Sequence, residues 1–222
     1  MEVFKVRKGY LTLVKGRPAS GKTSGALLDL VDRAYQGDRF VFFHHELKRE
    51  TFVRKLIKRF DYNFDEGTHL TIVDVLFIGL NKMVEIIKEN KPDYVYIDYE
   101  GAIIDENKEN RDREEFIYYL CDELSKLAKS DNIAIVLLMQ QTRDYVKDRK
   151  VDTAFFGLRG FNKIIKNVPG NNIILMFIEH SLFDGPPQVV YLFDSNGKYE
   201  KYSEFSTREI YKNERFGEYN IN

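Results

Sequence analysis

The sequence predicts an α/β fold: a mostly parallel sheet flanked by helices, with antiparallel strands near its C-terminal end. Three observations predict it. Up to Met139, short apolar runs alternate with longer stretches of helical period. The segment GRPASGKT, residues 16–23, joins the first such run to the first helical stretch. After residue 170, apolar runs follow one another without a helical stretch between them, the last two joined by a turn signal. Parallel strands need crossovers, which the helical stretches supply, whereas antiparallel neighbours need only short turns.

Each element has its own signal. Tyr10–Val14 (YLTLV) reads as the first strand. Beyond the glycine loop, Ala26, Leu27, Leu30, Val31 and Ala34 fall on one helical face. Arg39–Phe43 reads as a second buried strand, and Phe52, Val53, Leu56, Ile57 and Phe60 return to helical spacing. Leu70–Val75 is a strand, with Leu80, Met83, Val84 and Ile87 marking the next helix. Asp93–Asp98 is a strand that ends in a carboxylate. The charged stretch DENKENRDRE leads into a long helix through Leu127, and Ile133–Met139 follows as a strand. NIILMFIE, QVVYLFD and KYEKYS read as successive strands, the last two joined by the hairpin signal Asp194-Ser-Asn-Gly197. No internal repeat or domain-sized linker interrupts residues 1–205, and 206–222 form a polar tail.

Composition narrows the function classes. With 43% hydrophobic and 31% charged residues, the 222-residue chain is that of a globular protein with a full core. A formal net charge of -1 gives no whole-molecule attraction to nucleic acid, so any such contact must be local. The single cysteine, Cys121, excludes an intrachain disulfide and a cysteine metal cluster, and its helical register with Phe116, Ile117, Leu120 and Leu124 marks it as a small buried hydrophobe. His44, His45, His69 and His180 show no metal spacing and read as structural. The apolar runs NIAIVLLM and NIILMFI are too short to span a bilayer, and the charged N-terminus has no export signal. A cytoplasmic location without membrane contact is expected.

The most informative segment is GRPASGKT, which matches G-x-x-x-x-G-K-[ST] between a strand and a helix. Gly16 and Gly21 let the backbone curl so that the N–H groups of Gly16, Arg17, Pro18, Ala19, Ser20, Gly21, Lys22, Thr23 and Ser24 (Pro18 lacking one) surround phosphate oxygens at a helix N-terminus. Lys22 reaches the outer phosphates, and Thr23 offers a hydroxyl to Mg²⁺. An ordinary glycine-rich turn would not need the lysine and threonine. Asp98, closing the run VYID, is the candidate second Mg²⁺ ligand, acting through water. Two glutamates compete as base for an attacking water: Glu46, past the strand RFVFF, and Glu100, two residues beyond Asp98 and on the same side of an extended strand. Gln140 or its neighbour Gln141, past IAIVLLM, could sense a γ-phosphate.

Together these segments resemble the RecA-like ATPase domain of DnaB-type replicative helicases, phage versions included. The likeness runs from about Arg7 to Ser203. GRPASGKT resembles the family's phosphate loop, and FVFFHHELKRETFVRKL resembles the segment around its catalytic glutamate, which falls on Glu46. DYVYIDYEGAI resembles the Walker B segment, LSKLAKSDNIAIVLLMQQTR the glutamine sensor at Gln140, and FFGLRGFNKI the Leu-Arg segment at Leu158 and Arg159. The resemblance implies ATP and Mg²⁺ as cofactors, Lys22, Glu46 and Gln140 as catalytic residues, and Thr23 and Asp98 at the metal. It implies self-association in a ring or filament, a hexamer among them, with single-stranded DNA and replication or recombination proteins as partners, and a phage or other mobile element as source. For DNA it points to the stretch QTRDYVKDRKVDTAFFGLRG, where Arg143, Lys147, Arg149, Lys150 and Arg159 stand near Tyr145, Phe155 and Phe156.

The sequence departs from the family in two ways. The first core strand starts near Tyr10, so neither the N-terminal domain nor the linker helix is expected before it. The late Lys-x-Arg-x-Gly segment, whose cations reach a neighbouring subunit's ATP, is replaced by SLFDGPP, with Ser181 and Phe183 at the cation positions and Gly185 retained. An arginine finger is worth about a thousandfold or more in rate. Its loss opens an alternative to the helicase: a non-motor nucleotide-binding accessory protein. A small-molecule kinase sharing only the phosphate loop would leave the Glu46 and Gln140 segments without a purpose.

Overall fold

A computed structural model describes residues 2–34, 36–45, 50, 52–53, 69–106, 111–140, 161–170, 172–179, 188–194, 196 and 198–205. The elements in chain order are β1 (Leu11–Gly16), α1 (Lys22–Ala34), β2 (Arg39–His44), β3 (His69–Val73), β4 (Ile78–Gly79), α2 (Leu80–Asn90) and β5 (Tyr94–Asp98). A 3-10 turn (Glu100–Ala102) follows, then β6 (Ile103–Ile104), α3 (Arg113–Asp131), β7 (Ala134–Gln140), β8 (Ile173–Glu179), β9 (Gln188–Phe193) and β10 (Tyr199–Phe205). Among the described residues, no helix is long and apolar enough to cross a membrane.

Eight strands form one sheet in the order β10-β9-β8-β1-β7-β5-β2-β3. From β3 to β8 every pairing is parallel; β9 and β10 add antiparallel pairings at one edge. The fold class read from the sequence is the one observed, with strand ends displaced by a residue or two. The Asp194 turn also forms: Asp194 N donates to Lys198 O (2.8 Å), and the Asp194 carboxylate accepts the N–H groups of Asn196 and Lys198.

Strand parity sorts the apolar residues into two cores. Leu13, Phe43, Ile97, Leu137 and Phe177 face α2 and α3, where Met83, Ile87, Leu120, Cys121 and Leu124 meet them. Val14, Phe42, Tyr96, Leu138 and Met176 face α1 and its Ala26, Leu27 and Leu30. Runs buried on both faces explain why strands such as IAIVLLM are continuously apolar. Cys121 is fully buried, and burial pushes its thiol up to about 12, as its apolar register requires. Helix α3 starts with a capping box between Asp112 and Glu115 and ends at Asn132 in the left-handed conformation.

The α1 face also buries a carboxylate. Asp29 accepts hydrogen bonds from the Tyr96 hydroxyl (2.7 Å) and from Arg33 Nε (3.0 Å). Burial raises its pKa, and the Arg33 bond opposes that rise. One turn earlier in α1, Gly25 touches both ends of the described chain. A Cβ there would lie 2.7 Å from Phe4 Cζ and 3.2 Å from Phe205 Cζ. Ser203 Oγ donates to Val3 O (2.6 Å), so β10 and the N-terminal segment are joined beside this helix. Gly25→Ala gains about 1 kcal/mol of helix propensity but forces overpacking worth about 1–3 kcal/mol. The expected net result is a loss of about 1 kcal/mol in a denaturant titration, and a stabilised variant would show that the two rings do not press on α1.

Candidate nucleotide-binding site

Among the described residues, the strands that carry candidate residues end on one side of the sheet, where α1 begins. Parallel register sets Gly16 of β1 opposite Gln140 of β7, Asp98 of β5 opposite Leu138, and His44 of β2 opposite Asp98. Ligands of open α/β sheets bind at such C-terminal strand tips.

The loop between β1 and α1 is shaped by its glycines. A Cβ on Gly16 would sit 2.5 Å from Ser20 Oγ and 3.0 Å from Ile178 O, so no side chain fits. Gly21 adopts φ 90°, and Ala19 also lies in the left-handed region at φ 60°. Ser20 N donates to Arg17 O (3.1 Å), and Gly25 N donates to Gly21 O (2.8 Å) as α1 starts. Lys22 Nζ folds over the loop and donates to Gly16 O (3.0 Å) and Arg17 O (2.8 Å). The buried Ser20 Oγ and Arg17 Nε have no hydrogen-bond partner. Buried polar atoms without partners are uncommon, and here both belong to a loop whose amides and lysine suit an anion. Pro18 and Ala19 form its exposed crest, and Ser24 follows within the first turn of α1.

Asp98 meets this loop directly. Thr23 Oγ1 donates to Asp98 Oδ2 at 2.7 Å, although 75 residues separate them and β7 lies between their strands. A hydroxyl beside a buried carboxylate is a hard oxygen pair of the kind Mg²⁺ accepts, and the loop donors suit phosphate. The residues present therefore fit a magnesium–nucleotide pair.

His44, read from the sequence as structural, packs in the core beside Asp98. Its Nδ1 lies 3.6 Å from Asp98 Oδ2, the ring is buried against Phe42 and Phe52, and neither ring nitrogen has a hydrogen-bond partner. His45 N donates to Asp98 O (3.3 Å), while its ring Nδ1 contacts Val75 O, and burial lowers its pKa. Only the β2–β5 register brings these residues to Asp98, and nothing local in the sequence carries that information.

Glu100 does not continue the strand, as the parity argument required. β5 ends at Asp98, and Glu100 opens the 3-10 turn. Its carboxylate accepts the Gln140 N–H, with the two oxygens 3.1 and 3.3 Å away. Burial pushes its pKa up to about 7, against the opposing effects of the Gln140 bond and the charges of Arg113 and Lys22. The Gln140 residue is exposed, at the tip of β7. Glu46, Gln141, the cationic stretch with Arg143, Lys147, Arg149, Lys150 and Arg159, the segment 181–187 and the tail 206–222 lie outside the described residues.

The sequence matches no protein-family model and no curated protein. Solved structures do match in fold. One, the structure of an ATPase domain, superposes with a TM-score of 0.69 at 16% identity, over 88% of this chain and 80% of that one. A DnaB-like replicative helicase, from a structure that also concerns its interactions with primase, superposes with a TM-score of 0.68 at 17% identity, over 88% of this chain. This chain spans about half the length of that helicase, 54%. The chain thus shares the fold of both: a mostly parallel sheet flanked by helices, with antiparallel strands at one edge.

Proposed function

We propose that this protein binds and hydrolyses ATP as a DnaB-like, helicase-type ATPase acting on single-stranded DNA in replication or recombination. The observation that carries the reading is the 2.7 Å contact between Thr23 and Asp98, which unites the phosphate loop with the strand-end carboxylate. The fold shared with the ATPase domain and the DnaB-like helicase supports the same class.

In this reading, the loop amides from Gly16 to Thr23 orient the triphosphate, and Lys22 exchanges loop carbonyls for outer phosphate oxygens. Thr23 and Asp98 hold Mg²⁺, which supplies charge neutralisation of the phosphates when bound. Glu46 takes the proton of the attacking water, and Gln140 senses the γ-phosphate. Arg143, Lys147, Arg149, Lys150 and Arg159 contact the DNA backbone, and copies of the chain associate in a ring or filament. A second reading, a slow accessory ATPase without motor action, is favoured by Ser181 and Phe183 at the positions of the trans-acting cations.

ATP turnover measured with and without single-stranded DNA, together with strand separation, tests the proposal. DNA-stimulated turnover with unwinding supports the motor; tight ATP binding with negligible stimulated turnover supports the accessory. Glu46→Gln is expected to lower turnover about a hundredfold, the usual scale of general-base catalysis. Full activity in that variant would remove Glu46 from the mechanism.

A further inference from the structure

The Gln140 N–H points to where a sheet would ordinarily provide a carbonyl. On the β5 side, the ladder with β7 ends at the Asp98–Leu138 pair, because β5 turns away into the 3-10 helix. Parallel ladders alternate their donors, so the N–H two residues past Leu138 still points toward β5 and finds no strand there. The Glu100 carboxylate stands in for the lost carbonyl, with both oxygens in hydrogen-bond range of Gln140 N. The main chain of Glu100 is fixed in turn: Arg113 Nη2 of α3 donates to Glu100 O at 2.7 Å, and Nη1 reaches Ile103 O at 3.4 Å. A chain of contacts thus runs from α3 through Glu100 to the tip of β7, beside Gly16 and two residues from Asp98.

From this geometry we propose that Glu100 is a positioning residue, whose carboxylate clamps the main chain at Gln140 to the segment following Asp98. This deepens the ATPase reading and rests on it, because the reaction served is ATP hydrolysis. The clamp needs an acceptor oxygen at the end of a side chain of this length. It needs no proton transfer, so Glu100 differs in kind from a general base.

Glu100→Gln keeps an acceptor and cannot act as a base; Glu100→Leu keeps neither property. At saturating Mg²⁺, Glu100→Gln is expected to retain kcat within about threefold of the unsubstituted protein. Glu100→Leu is expected to lose about tenfold or more in kcat with little change in KM, the pattern of an interaction felt after substrate binds. Amide exchange at Gln140, followed by NMR without nucleotide, gives a readout independent of activity: Gln keeps the protection and Leu loses it, by about tenfold. Equal inactivity of both variants would make Glu100 a base and overturn the proposal, as would equal full activity or an unprotected Gln140 amide in the unsubstituted protein. If the unsubstituted protein protects that amide through Glu100 yet turns over no ATP, the ATPase reading fails and the clamp geometry survives.

Discussion

Lys22→Ala is expected to lower ATP turnover about a thousandfold and to weaken ATP binding by about ten- to a hundredfold. The rate effect is the scale seen when one preorganised charge or donor is removed from a developing anion in a water-poor site. Lys22 is buried and already placed over the loop, with its ammonium 3.0 Å from Gly16 O and 2.8 Å from Arg17 O. Its loss therefore acts twice: it removes a cation from the phosphates and releases two loop carbonyls from their donor. The second effect alone costs about 1–2 kcal/mol of stability, visible in a denaturant titration without nucleotide. Lys22→Arg does not restore activity, because a planar fork cannot replace a point charge on a flexible stem. Binding of a fluorescent ATP analogue and steady-state turnover separate the two effects. Undiminished turnover in Lys22→Ala would end the phosphate-loop reading.

Asp98→Asn is expected to lower turnover by about the same factor while leaving the fold intact. The amide oxygen still accepts the Thr23 hydroxyl, so the 2.7 Å contact has a neutral substitute. What disappears is the negative charge that a hard divalent cation requires. The expected signature is a Mg²⁺ dependence of turnover shifted to much higher concentration, with nucleotide binding in chelator unchanged. An unaltered Mg²⁺ titration would show that Asp98 does not organise the metal. Because the His44 ring lies 3.6 Å from the same oxygen, part of the effect can reach β2.

How much of this was legible in the sequence depends on the range of the physics involved. The shape of the glycine loop was legible because its residues are contiguous: glycines for a steep turn, then a lysine and a hydroxyl at fixed offsets. Asp98 was legible because it closes an apolar run. The two-core sheet followed from runs buried on both faces. Glu100 was misplaced because parity along a strand holds only while the strand lasts, and no residue type announces that β5 stops at Asp98. Asp29 escaped for a similar reason: its partner Tyr96 is 67 residues away, on a strand that only the fold brings beneath α1. His44 acquired its neighbour through register alone.

The meeting of Phe4 and Phe205 at Gly25 has a topological consequence. The first and last described residues of the chain, near Phe4 and Phe205, lie together at one spot on the flank of α1. The described span is nearly a closed loop there, so a short peptide could join its two ends, near residues 2 and 205, and new ends be opened at an exposed turn elsewhere.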